Sequence, residues 1–331
     1  MATSMTRRDA IRRISAAASA AGLAWSPGRA EAAQEPATGA GAPSLKFFPG
    51  FRPIRIETSG ATINGVMAGQ GPPLLLLHGA PQSLISWRLA APLLAKDFTV
   101  VVTDLRGYGD SSKPPDGENH AGYSKRAMAL DQVEVMRQLG FERFAVAGHD
   151  RGGRVGHRMA LDHADRVTAL AVLDIVPTYY LYTHVTLAFV QAYYHWFSYL
   201  RAAPAPENEL KDQIERQAER MTSEVQQEYL RVRRDPAAIH AMCEDYRAGA
   251  SIDLDHDRAD LDRTIACPVL ALWGEKAPMG RLYDVLAIWR ERAAAVSGKA
   301  MPTGHNLQED APAEVAAELR TFFQGAGGRR A

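Results

Sequence analysis

Short apolar runs recur along the chain, separated by stretches with helical periodicity. Residues 72–77, 98–103, 144–147, 169–176 and 268–273 are rich in Leu, Val, Ala and Ile. Such runs are expected of parallel strands buried on both faces. Residues 54–67 alternate enough for one or two further strands, with Asn64-Gly65 as the turn signal. A weaker strand signal precedes Gly304-His305. Residues 123–139 and 155–163 read as helices, and 312–323 as a closing helix with Pro312 at its first position, where the missing N–H is tolerated. Strands alternating with helices predict an α/β fold on a doubly wound, mostly parallel sheet. One region breaks the alternation. Residues 178–255 hold no strand run and read as several helices, such as 209–234, inserted as a cap over the carboxyl edge of the sheet.

The 331 residues are enough for one large α/β domain with an insertion, or for two domains, and for a substantial core. Lys and Arg number 38, as do Asp and Glu. That balance gives no clustered basic footprint for nucleic acid. The two cysteines, Cys243 and Cys267, form no CxxC pair, so a metal or redox site is unsupported; two buried thiols are the simpler expectation, with a disulfide left open. Arg7-Arg8 and Arg12-Arg13 precede a mildly apolar, alanine-rich run, 14–25, too short to span a membrane, and Ala30-Glu31-Ala32 supplies a cleavage site. This layout predicts an export signal of twin-arginine type and a periplasmic location without a stable membrane anchor, although Ala10 departs from the motif. The expected organisation is an export signal (1–32), a linker rich in Ala, Gly and Pro (33–45), a first core segment (46–177), the helical cap (178–255), a second core segment (256–325) and a tail (326–331).

The chemistry concentrates where apolar runs end. Residues 144–147 lead into Gly148-His149-Asp150-Arg151-Gly152 and then a helix. Strand, Gly-x-nucleophile-x-Gly, helix is the pattern of a nucleophile elbow, here with Asp150 in the middle. A carboxylate nucleophile becomes an ester itself and suits displacement at a saturated carbon. The plainer reading of Asp150 is a helix cap. Asp174 and His305 follow later strand signals, and ligands bind at strand carboxyl ends in such sheets. His305 is the candidate base for water, and Asp174 its orienting acid, with Glu275 a rival. The backbone N–H groups of Ala80 and Arg151 could form an oxyanion hole. Arg151 and Arg154, one helical turn apart, would keep Asp150 ionised and could clamp a substrate carboxylate. Tyr193-Tyr194-His195-Trp196-Phe197 and Tyr246 offer N–H and O–H donors, but on sequence physics alone that stretch reads as ordinary cap packing.

Together, Gly-His-Asp-Arg-Gly-Gly-Arg154, His-Gly-Ala-Pro-Gln82, Asp-Leu-Arg-Gly-Tyr-Gly-Asp-Ser-Ser-Lys-Pro114, Leu-Asp-Ile-Val-Pro-Thr178, Tyr-His-Trp-Phe197 and Asp-Tyr-Arg-Ala-Gly249 resemble the haloacetate dehalogenases. That branch of the α/β-hydrolase fold includes the fluoroacetate dehalogenases and is related to epoxide hydrolases; the resemblance covers about residues 47–323. It implies Asp150 as nucleophile, His305 as base, Asp174 as its partner, and Arg151 and Arg154 as the carboxylate site. It further implies that His195, Trp196 and Tyr246 receive the leaving halide, and that neither metal nor organic cofactor is needed. The expected partner is a small-molecule substrate, with a homodimer allowed. Three departures stand out: Ala80 where relatives often carry a bulky aromatic, Asn306 after the Gly-His pair where an aromatic is common, and a shorter cap between Trp196 and Tyr246. They predict a wider site and put C–F cleavage in question. An epoxide hydrolase using the same Asp150 and His305 is the first alternative, and a catalytically silent ligand-binding homologue the second.

Overall fold

The computed structural model describes residues 43–327. The expected export signal, the linker up to residue 42 and residues 328–331 lie outside them. Eight strands form one sheet: β1 (Arg52–Glu57), β2 (Thr62–Ala68), β3 (Pro73–Leu77), β4 (Thr99–Thr103), β5 (Phe144–His149), β6 (Val167–Leu173), β7 (Val269–Gly274) and β8 (Val296–Met301). Their spatial order is β1-β2-β4-β3-β5-β6-β7-β8. β1–β2 and β2–β4 pair antiparallel, and every later pair is parallel.

The apolar runs become central strands because they have an apolar layer to fill on both sides. Leu75, Leu77, Val101, Val146, Leu170 and Val172 join one core, while Leu74, Leu76, Val100, Val102, Ala147 and Leu173 join the other. This is the period-2 alternation of a strand. Leu74 to Leu77 are all fully buried, and burying each side chain contributes roughly 1.5–3 kcal/mol. The first core is covered by helices α1 (Lys125–Gln138) and α2 (Arg151–Asp162), through residues such as Met128, Val135, Val155 and Met159.

The β1–β2 turn is not where Asn64-Gly65 suggested. The chain reverses at 58–61, where the Thr58 N–H and hydroxyl both donate to the Ala61 carbonyl. Asn64 and Gly65 lie inside β2, paired with Arg55 and Ile54. The Asn64 amide donates to the buried Asp104 carboxylate at 2.8 Å. A Cβ on Gly65 would sit 2.6 Å from the Val102 carbonyl oxygen. This Asn-Gly therefore serves a buried hydrogen bond and a close strand approach, not a turn.

Between β6 and β7 lie seven helices and no strand: α3 (Thr178–Thr183), α4 (Leu187–Ala192), α5 (His195–Ser198), α6 (Ala205–Ala218), α7 (Glu224–Arg233), α8 (Pro236–Gly249) and α9 (Ile252–Ala259). The single helix expected over 209–234 is two. Ser223 caps α7 with a reciprocal capping box to Gln226, which breaks the run after α6. The final helix, α10 (Pro312–Gly327), continues past the expected end at 323 and covers the second core with Val315, Leu319 and Phe323. Residues 43–47, placed partly in the expected linker, form a 3₁₀ turn. Cys243 and Cys267 are buried, and no disulfide joins them. No helix among the described residues is long and apolar enough to cross a membrane.

Candidate active site

The β5–α2 turn is built by close approach. Asp150 has φ 45° and ψ −115°, a conformation few side chains adopt; such strain costs of order 1–3 kcal/mol and clusters at functional sites. It persists because the neighbours leave no room to relax. A Cβ on Gly152 would lie 2.5 Å from the His78 carbonyl oxygen, and one on Gly79 would lie 2.6 Å from Asp150 Cβ. The Gly152 N–H donates to that His78 carbonyl at 2.9 Å, tying the elbow to the end of β3. Asp150 does not cap α2 with its side chain. Its Oδ2 instead accepts from the Ala80 N–H at 3.1 Å. The Arg151 N–H opens the helix, among the amides that lack an intrahelical acceptor.

His78 explains the rigidity of the His-Gly-Ala-Pro turn. It is fully buried, with Nδ1 set to donate to the Gly79 carbonyl and Nε2 accepting from the Leu105 N–H. Burial pushes its pKa down to about 4, so it is a neutral packing and positioning group.

Asp174 follows β6 at φ 54° and is fully buried. Its Oδ1 accepts from the Gly274 N–H at 3.0 Å, and its Oδ2 faces His305 Nδ1 at 2.6 Å. This pair fixes a proton on Nδ1 and leaves Nε2 as the basic nitrogen. Burial opposes charge on His305, but the Asp174 hydrogen bond and the charges of Asp150 and Asp174 outweigh it and raise the pKa above its ordinary value. Glu275, the rival orienting acid, is exposed. Asp150 is buried, which favours its neutral form, yet His305, Arg151, His149 and Arg154 hold it well below the carboxylate range. His149 donates from Nε2 to the His305 carbonyl at 2.8 Å and packs 4.6 Å from its ring; burial first, then the His305 charge, push its pKa to about 3.

The two arginines behave differently. Arg151 is fully buried, its guanidinium carbon 3.5 Å from the Tyr246 ring centroid and 4.9 Å from that of Trp196. Its Nε lies 3.5 Å from Asp245 Oδ2. Arg154 stands 4.6 Å over Trp196 and donates from Nη1 to the Val176 carbonyl and Thr178 Oγ1. No carboxylate lies within ion-pair distance of Arg154 among the described residues. All three guanidinium nitrogens of Arg151, and Nε and Nη2 of Arg154, are buried without a hydrogen-bond partner. Buried donors in that number call for an acceptor. Burial, then repulsion from Arg151, lowers the Arg154 pKa.

The aromatic stretch 193–197 does not wrap one helix. Tyr193 is the C-cap of α4, and α5 starts at His195. The break brings His195 and Trp196 each 5.7 Å from the Tyr246 ring, in edge-to-face contact. Tyr194, 67% exposed, sits at the solvent side of the cavity wall. Burial pushes the His195 pKa down to about 4, so near neutral pH it donates as a neutral imidazole. A cavity of about 820 Å³ is lined by Ala80, Asp150, Tyr193, His195, Trp196, Tyr246 and His305, and reaches Tyr199, Met242 and Arg233. Arg151 and Arg154 back the Trp196 and Tyr246 wall and are not part of the lining itself. Asn306 caps the short helix after His305 and is not part of the wall either.

Three contributors carried little sequence signal. Asp245 is fully buried; Tyr108 donates to it at 2.6 Å, and Lys125 and Arg151 pair with it. It sits beside Tyr246 in the quoted Asp-Tyr-Arg segment, and only its burial reveals it as the anchor of Arg151. Tyr193 lines the cavity with a buried, unpartnered hydroxyl, and the Tyr182 hydroxyl is likewise unpartnered.

Residues 72–312 match the alpha/beta hydrolase fold family model. The chain belongs to that family. This α/β-hydrolase is 46% identical over 292 residues to a fluoroacetate dehalogenase from Burkholderia sp, covering 85% of this chain and 96% of the relative. It is 34% identical over 283 residues to a soluble epoxide hydrolase from Corynebacterium sp. (strain C12), covering 80% and 96%. Among solved structures, a chain from Nostoc sp PCC 7120 assigned to the alpha/beta hydrolases superposes with a TM-score of 0.79 at 51% identity, covering 82% of this chain and 98% of that one. This α/β-hydrolase is accordingly an enzyme, dehalogenase-like in sequence.

Proposed function

We propose that the enzyme hydrolyses 2-haloacids through a covalent ester on Asp150. The observation that carries this reading is the buried Arg151–Arg154 pair beside Asp150, with five guanidinium nitrogens lacking a hydrogen-bond partner among the described residues. A substrate carboxylate that enters past the Trp196 and Tyr246 rings in front of the pair supplies the missing acceptors in the geometry arginine matches best. That contact aims the α-carbon at Asp150. The carboxylate oxygen attacks this carbon, the carbon–halogen bond breaks, and the halide leaves toward His195, Trp196 and Tyr246. His305 Nε2 then takes a proton from water, and the hydroxide formed attacks the Asp150 ester carbonyl. The Ala80 and Arg151 N–H groups stabilise the oxyanion. Collapse releases the 2-hydroxy acid, halide and a proton, with Asp150 regenerated. The 46% identity to a fluoroacetate dehalogenase supports the same reading. The Ala80 wall and the cavity volume favour 2-haloacids larger than fluoroacetate.

A second reading is an epoxide hydrolase, favoured by the His195–Tyr246 donor pair over the cavity and by the 34% identical relative. It leaves the arginine pair without a role. Halide and diol release from fluoroacetate, chloroacetate, bromoacetate, 2-chloropropionate and styrene epoxide decides between them. Chloride and bromide release with little fluoride is expected. Diol formation with no halide release transfers the assignment to the epoxide reading. The twin-arginine leader adds the proposal that the mature enzyme is periplasmic, which cell fractionation tests.

A further inference from the structure

The cavity is much larger than a two-carbon acid needs. At about 820 Å³ it falls in the range, roughly 300–1,000 Å³, that accepts drug-sized ligands. Its wall beyond Tyr246 includes Tyr199, Met242 and Arg233. Tyr199 packs edge-on 5.1 Å from Tyr246 and 5.6 Å from His195, and it is also the charge neighbour of Arg233. One continuous wall therefore joins Arg233 to the halide-side donors.

Arg233 differs from its neighbours along the chain. Arg231 pairs with Asp110 and Glu228, and Arg234 with Glu215. Arg233, the last residue of α7, is half-buried; among the described residues it has no carboxylate within ion-pair distance, and its Nε is fully buried without a hydrogen-bond partner. Besides Asp150, the two acidic residues in the cavity wall form no ion pair with it: Glu209 is engaged by Arg201, and Asp212 is exposed. Burial disfavours the Arg233 cation, a penalty that an incoming anion would relieve.

We propose that Arg233 binds a second anionic group on the substrate, making the preferred substrates 2-halo acids that end in a distal carboxylate. This rests on the 2-haloacid reading above. The Arg151–Arg154 pair takes the carboxylate next to the reacting carbon, and Arg233 takes the distal one.

The test uses the enzyme with chloroacetate, the 2-chloro diacids of four to six carbons, and the same diacids esterified at the distal carboxyl. The readout is kcat/KM for each diacid divided by that for chloroacetate. At least one diacid should exceed its distal ester by roughly 10- to 100-fold with the unaltered enzyme. Arg233→Gln should lower the diacid-to-chloroacetate ratio by a similar factor through KM, and Arg233→Lys should recover part of it. Chloroacetate turnover with no diacid preferred over its ester, or a ratio unmoved in Arg233→Gln, overturns the Arg233 proposal alone. No chloride release from chloroacetate or from any diacid overturns the haloacid reading beneath it. The ester comparison needs no variant, so a poorly folding Arg233→Gln leaves the proposal open to refutation.

Discussion

The carboxyl edge of the sheet and the helical stretch between β6 and β7 hold their site residues by different means. At the sheet edge, backbone fixes side chains. Asp150 receives the Ala80 N–H, Asp174 receives the Gly274 N–H, and His149 holds the His305 carbonyl. Both carboxylates sit on positive-φ backbone. In the helical stretch, side chains hold side chains: Trp196 and Tyr246 both pack on Arg151 and on each other, and Tyr199 packs on His195 and Tyr246. Backbone-held groups keep their positions while side chains elsewhere change, which suits the reacting atoms. Ring-on-ring packing is altered by single substitutions, which suits the choice of substrate. On this view the sheet edge sets the reaction, and the helices set what enters it.

Asp150→Asn breaks the sheet-edge half most completely. Halide release is expected to fall by at least about 10³-fold, as for other nucleophile deletions. Arg154→Gln acts at the junction of the two regions. Removing the cation without a carboxylate partner should raise KM for a haloacid by roughly 10- to 100-fold, with a smaller effect on a neutral epoxide; equal losses on both would detach Arg154 from carboxylate binding.

Asp174→Asn sharpens the comparison through pH. His305 acts as a base only when neutral, and only in hydrolysis of the Asp150 ester, so kcat, where that step limits it, should rise as pH rises through the His305 pKa. In the free enzyme that pKa is raised despite burial, by the Asp174 hydrogen bond and the charges of Asp150 and Asp174. In the ester intermediate the Asp150 charge is gone, so the kcat limb should lie below the free-enzyme pKa. Asp174→Asn removes a raising hydrogen bond and charge and should move the kcat limb to lower pH while slowing turnover. A limb that stays in place would mean that another group titrates. The smallest effect is expected at Ser223→Ala, which removes the α7 capping box. Thermal or urea unfolding should show a loss of about 0.5–2 kcal/mol, with kcat unchanged.

Legibility follows the same division. The central strands and the Asp150, Asp174 and His305 positions could be read because unbroken apolar runs and small residues at their ends leave a strong local imprint. Asn64-Gly65 misled because a turn dipeptide can equally serve a buried amide and a close strand approach. The 209–234 run misled because Ser223 and Gln226 reset the helix locally. Placing His195 and Trp196 beside Tyr246 depends on the break after Tyr193, and the weights of Asp245 and Arg233 depend on which neighbours they meet or lack. Those are tertiary facts with no local signature.

The central claim is the covalent ester on Asp150. Its most direct measurement is intact-mass and peptide mass spectrometry of His305→Gln incubated with chloroacetate. A stoichiometric carboxymethyl adduct mapped to Asp150 is expected, stable because the base for ester hydrolysis is gone. No adduct together with full turnover, or an adduct on His149, would contradict it.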